Sequence, residues 1–271
     1  MSDEIATTNT GLATTPDYGD VEGSGFENQT RDDLSTPYLG LLQTNSPHCG
    51  EVEDGGLEGA KPGMFVNSAT EELYDGREDG IVVVPATTEH LYVEYKPRDE
   101  GGGFVGIHAV ASEVVRNAKA SAAAFNKLKS PEGNDLVEAF YVYAVICEDG
   151  EPLGGIVIPF TSTKIKTYKK WNTRVGTLLV PRADGRRARP PMFAHQVRIT
   201  SLKQENQHGK FFIYDLAPAK GTLVESLLEP DDPCFVAAQD LMTSVMAGET
   251  KAKQPASQEG GGGTSEGNVP F

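Results

Sequence analysis

Residues 135 to 160, "DLVEAFYVYAVICEDGEPLGGIVIPF", constrain the fold more than any other stretch of the chain. Two runs of β-branched and aromatic residues flank a short acidic break containing a glycine, which predicts two strands around a tight turn. The same pattern recurs in "MFVNSATEELYDGREDGIVVVPATTEHLYVEYKPRD" (64 to 99), read as strand, Gly-containing turn, strand, short break and strand. Residues 192 to 220, "MFAHQVRITSLKQENQHGKFFIYDLAPAK", read as a hairpin with its polar turn at Gly209. Helix is predicted in fewer places. The Ala-rich stretch 111 to 130 reads as the main helix, stopped by "PEGN", and 222 to 248 as two short pieces broken around Pro230 and Pro233. A short helix capped by Thr30 and redirected at Pro37 is expected before them, and "GGGFVGIH" (101 to 108) reads as a flexible bend.

These elements predict a β-rich α+β domain, compatible with a small antiparallel barrel of the OB type carrying one main helix and a short helical C-terminal part. The domain is expected over 29 to 246. Residues 1 to 28, rich in Thr, Asp, Gly and Ser, read as a disordered acidic arm, and 247 to 271 as a flexible Gly-rich tail ending in "NVPF". No apolar run reaches the eighteen or so residues that span a bilayer, and the first residues lack the pattern of a signal peptide. Cys49, Cys147 and Cys234 are odd in number and far apart in sequence. A soluble protein of a reducing cytoplasm, without a disulfide framework, is therefore expected.

Charge is unevenly spread. The chain has a formal net charge of −15, and residues 1 to 60 hold twelve Asp or Glu against one Arg. Residues 164 to 189 reverse the sign: Lys164, Lys166, Lys169, Lys170, Arg174, Arg182, Arg186, Arg187 and Arg189 stand against Asp184 alone. Tyr168 and Trp171, the only tryptophan, lie among them, and Phe193 follows. A solvated cationic face is the plain explanation. The sharper one is single-stranded nucleic acid, gripped by cations along its phosphates and by rings on which bases stack. On a strand, Lys164, Lys166, Tyr168 and Lys170 would share a face; on a helix, Lys166, Lys169 and Lys170 would cluster. Both geometries remain open at this stage. Arg198 and Tyr214 extend the candidate surface, with Phe211 and Ile213 read as core and Phe212 and Tyr214 as either core or platform.

Catalytic signatures are missing from the sequence. There is no P-loop, no G-x-G-x-x-G, no nucleophile elbow, no C-x-x-C pair and no H-E-x-x-H. Adjacent acids such as Asp32 and Asp33 or Asp231 and Asp232 would point apart on a strand rather than converge on a metal. A non-enzymatic protein with no metal and no cofactor is expected.

Several segments resemble a known family. "IPFTSTKIKTYKKWNT", "PPMFAHQVRITS" and "GKFFIYDL", with "DLSTPYLGLLQ", "GAKPGMFVNSATEELYDG" and "GIVVVPATTEHLYVEYKPRDEGGGFVGIH", are similar to a conserved tailed-bacteriophage protein found with replication genes. The resemblance covers roughly residues 30 to 216, and members of that family are often labelled single-stranded DNA-binding. It implies a phage protein of DNA replication or recombination in the host cytoplasm. Separately, Val269, Pro270 and Phe271 resemble the tip by which bacterial single-stranded DNA-binding proteins recruit replication enzymes, although Glu266 is the only acid close to the end. The resemblance implies a phage or host replication protein as partner. A structural or packaged virion protein, or one that engages a host enzyme, is the alternative expectation.

Overall fold

The structure is a computed structural model, and it describes residues 24–25, 36–122, 127–182, 184–206 and 209–252. The chain divides into a unit over 1–34, almost all outside the described residues, and a unit over 35–271 that holds all of the described strands and helices. The expected acidic arm, the Thr30 cap and the Val269–Pro270–Phe271 tip thus lie outside the described residues.

Two long antiparallel strands, β4 (Ile81–Tyr95) and β7 (Asp135–Glu148), form the centre of the molecule. β7 turns into β8 (Glu151–Thr161) through Asp149 and Gly150, whose φ angles of 50° and 89° are what a two-residue hairpin turn requires. Along its outer edge β4 pairs first with β11 (Val197–Asn206) and further on with β5 (Phe104–Ala109). β11 continues into the hairpin partner β12 (Gly209–Pro218), as expected around Gly209. A small sheet of β1 (Leu39–Leu41), β2 (Phe65–Asn67) and β3 (Leu73–Tyr74) lies beside it. The coarse class, β-rich α+β with mostly antiparallel strands, is as the sequence predicts.

Barrel closure is not. The main sheet runs β12, β11, β4, β7, β8, and no ladder joins β8 to β12 among the described residues. The chain around β1 spans the opening instead. Val157 N–H donates to the Pro37 carbonyl at 2.8 Å, and the Tyr214 hydroxyl donates to the Leu39 carbonyl at 2.8 Å. The Gln43 amide both accepts from Phe212 N–H (2.8 Å) and donates to its carbonyl (3.0 Å). Gly40 is needed here, because a Cβ would come within 2.8 Å of Val66 Cγ1.

Among the described residues three α-helices cover the sheet. α1 (Glu113–Ser121), capped by Ser112, is about half the length the Ala content predicts. Leu128 and Lys129 form a short strand, β6, on β7, so "PEGN" is a hairpin turn and not a helix stop. Burying Leu128 with Tyr92, Val115 and Leu136 outweighs local helix preference there. α2 (Lys164–Gly176) and α3 (Pro233–Met246) cover opposite faces of β7: Phe140, Val142 and Ile146 turn toward α2, Tyr141, Tyr143 and Val145 toward α3. Pro233 begins α3 rather than breaking a helix, since its missing N–H is at a position where none is needed. Two further expectations are corrected. The break read at "PATTEH" is a bulge within β4 at Pro85, and "GGGFVGIH" is a turn followed by β5; beyond Pro37, where the expected short helix ends, residues 38 to 41 are extended.

Candidate nucleic-acid interface

The basic segment is a helix because its apolar residues fall on one side. Lys164, Tyr168, Trp171 and Val175, at i, i+4, i+7 and i+11, are buried against Phe160 and Tyr214. Lys166, Lys169, Lys170 and Arg174 occupy the opposite side and are exposed. Among the described residues none of these four forms an ion pair with a carboxylate.

The expected stacking platform is therefore corrected. Trp171 is 8% exposed, Tyr168 6% and Tyr214 0%, so all three rings are core and none is offered to a base. Lys164 is buried, with its ammonium 5.2 Å from the centre of the Tyr214 ring. Phe193 packs edge-to-face on Phe235 of α3 at 4.9 Å. Phe212 is buried in the same core cluster as Tyr214, with the Arg77 guanidinium 5.3 Å from its ring centre. Arg198 is half-buried and donates to the Asp79 carbonyl, fastening β11 to the start of β4.

After α2 the chain forms a two-stranded hairpin, β9 (Val180–Pro181) and β10 (Arg187–Ala188), that pairs with no other strand among the described residues. Arg182 N–H donates to the Arg186 carbonyl, and Asp184 accepts from Arg186 N–H at 3.0 Å, shaping the turn. Arg182, Arg186, Arg187 and Arg189 are all exposed. The surviving candidate surface is thus eight exposed cations: four on α2 and four on this hairpin.

The sequence reading missed a row of rings beside α2. Phe140 of β7 stacks on Tyr168 at 4.7 Å and on His90 of β4 at 4.2 Å, and His90 lies 6.0 Å from Tyr92. Lys169 Nζ sits 5.2 Å from the Phe140 ring centre. His90 and Phe140 are 50 residues apart in the chain and meet through strand register (His90 opposite Phe140), which no local pattern reports.

Beneath α2, between Trp171, Val175, Val142 and Val197, is an apolar cavity of about 30 Å³, with room for about two waters. His195 lines it, 1% exposed, and neither ring nitrogen has a partner among the described residues. Burial alone lowers its pKa to about 4, which keeps the ring neutral. Glu94 is also buried. Desolvation raises its pKa, but hydrogen bonds from Ser130, Asn134 and His108 together hold it below the usual carboxylate value.

Among the described residues no group of three His, Cys, Asp or Glu is placed to hold a metal ion. Nor is any helix long and apolar enough to cross a membrane. No curated protein and no solved structure matches the chain. A family described as Pam3 phage gp34-like protein matches residues 6–251, nearly the whole length and all but one of the residues described above. By that match, the chain with the cation-faced helix and the arginine hairpin belongs to the Pam3 phage gp34-like protein family.

Proposed function

We propose that this phage protein binds single-stranded DNA during replication or recombination in the host cytoplasm, without sequence preference and without catalysis. One observation carries the reading: the outer side of α2 presents Lys166, Lys169, Lys170 and Arg174 with no acid among them, in a chain of net charge −15. The arginines of the β9–β10 hairpin would extend the contact along further phosphates. Binding of this kind is electrostatic and releases counterions, so affinity falls steeply with salt. The acidic balance of residues 1 to 60 would weaken indiscriminate attachment to polyanions.

The test is an anisotropy titration of the full chain with labelled oligo-dT across a salt series. Log affinity should fall linearly with log salt, by about 0.7 per engaged cation. Replacing Lys166, Lys169, Lys170 and Arg174 together by Gln should remove up to about 2.8 from that slope if all four contact phosphates. Absence of binding at low salt would end the proposal.

A further inference from the structure

We infer that the furrow between α1 and α2, floored by His90 and Phe140, is a stacking site for an unpaired nucleobase; the inference rests on the nucleic-acid reading above. In β4, Thr88, His90, Tyr92 and Glu94 share one face, and opposite them in β7 stand Val142, Phe140, Glu138 and Leu136. α2 covers one end of this face, where Tyr168 stacks on Phe140. α1 covers the other, with Val115 and Ala118 packed against Tyr92 and Lys119 Nζ 4.8 Å from its ring centre. His90 and Phe140 lie between the two helices.

The His90 ring is built as a platform. It lies nearly parallel to Phe140, with 14° between the planes, and its side chain is 38% exposed. Nε2 donates to the Glu138 carboxylate at 2.8 Å, since an ionised carboxylate only accepts, and this bond fixes the ring plane. On the side away from Phe140 no strand is paired. The β11 ladder stops at Val83 and the β5 ladder starts at Leu91, so no strand pairs with β4 between them among the described residues, although the turn Met192–Ala194 packs beside Val84 and Ala86. The bland alternative is a cross-strand ring pair that shields the sheet. That alternative accounts for Phe140, which is covered on both faces, but not for the exposure of His90 or for cations at both ends of the row. With Lys169 at one rim and Lys119 at the other, a strand would lie with its phosphates toward the rims and a base on the imidazole. Glu138 on the floor disfavours the opposite orientation.

The test compares His90→Ala and His90→Phe with the unaltered full chain, each checked for folding by circular dichroism, in binding to dT20 and to a duplex of equal length. Stacking on one base predicts that His90→Ala loses roughly five- to 150-fold in dT20 affinity, with its salt slope and duplex affinity unchanged. His90→Phe, which keeps a flat ring, should restore single-strand affinity. If the unaltered chain binds dT20 and His90→Ala binds it equally well, or His90→Phe fails like His90→Ala, the stacking site is wrong while the phosphate surface stands. If the unaltered chain binds neither DNA at low salt, the nucleic-acid reading and this inference fall together.

Discussion

The helices α2 and α3 have nearly the same length, 13 and 14 residues, and cover opposite faces of one strand, yet they are built on different terms. α3 is made for stability. Asp232 caps it by accepting from Cys234 N–H at 2.9 Å, Pro233 starts it, and Asp240 is its only charge. α2 has no side-chain cap and no acid in its first turn, where it carries Lys164 and Lys166 instead. Cations at a helix N-terminus oppose the macrodipole, and Lys166, Lys169, Lys170 and Arg174 repel one another at i+3 and i+4 spacing. Its inner side anchors it through Tyr168, Trp171 and Val175. The contrast teaches that α2 is anchored by its inner side, while its outer cations have no carboxylate partner among the described residues and two of them, Lys169 and Arg174, lie over the Phe140 and Trp171 rings at 5.2 and 5.7 Å.

Four measurements sharpen or break this contrast, beginning with the largest effect. Trp171→Ala should destabilise the protein by about 3–5 kcal/mol in chemical denaturation, because it removes a buried ring from the core. A variant of near-native stability that binds DNA poorly would restore the ring to the surface and break the division between inner and outer sides.

The next largest effect concerns the underside of α2. The folded pKa of His195, about 4, lies below its ordinary 6.5, so the unfolded chain takes up a proton that the folded one refuses. Its contribution is fully present above pH 6.5 and is lost as pH falls toward 4, by about 3 kcal/mol in all. Denaturant midpoints measured across that window should drop with falling pH, and His195→Leu should flatten the drop. Glu94, whose pKa is lowered by its three hydrogen bonds, has the same sign but acts at lower pH, as its carboxylate is protonated.

A smaller contrast separates the two helix starts. Asp232→Ala should cost about 0.5–2 kcal/mol, the value of a working cap, whereas Thr163→Ala, which breaks no cap bond, should fall below that range. Thermal melts of both variants under one condition decide it. Smallest of all, replacing Lys166 and Lys170, the two outer cations of α2 that lie over no ring, by Gln should leave stability unchanged or raise it by a few tenths of a kcal/mol. A clear loss of stability would mean that the charges serve the fold after all.

Much of the sheet was legible from the sequence. Alternating apolar runs around Asp149–Gly150 and around Gly209 announced both hairpins, because turn chemistry and strand pattern agree at those places. α2 was legible only in part. Lys164, Lys166, Tyr168 and Lys170 alternate as a strand would, and the helical spacing of Tyr168, Trp171 and Val175 becomes decisive only once Phe160 and Tyr214 supply the surface they bury against. The Ala-rich stretch misled for the converse reason, since Leu128 is committed to a distant strand whatever its local preference. His90 and Phe140 could not be paired without the register of β4 on β7, which is set by the whole sheet and not by either segment.

Trp171 has one more consequence. As the chain's single indole, enclosed on the inner side of the helix that carries the charges, it is an internal optical gauge of how that helix sits. An emission maximum that stays at short wavelength as oligonucleotide is added means that α2 remains docked while its outer side engages the strand. A shift toward longer wavelength means that the helix lifts and water reaches the ring.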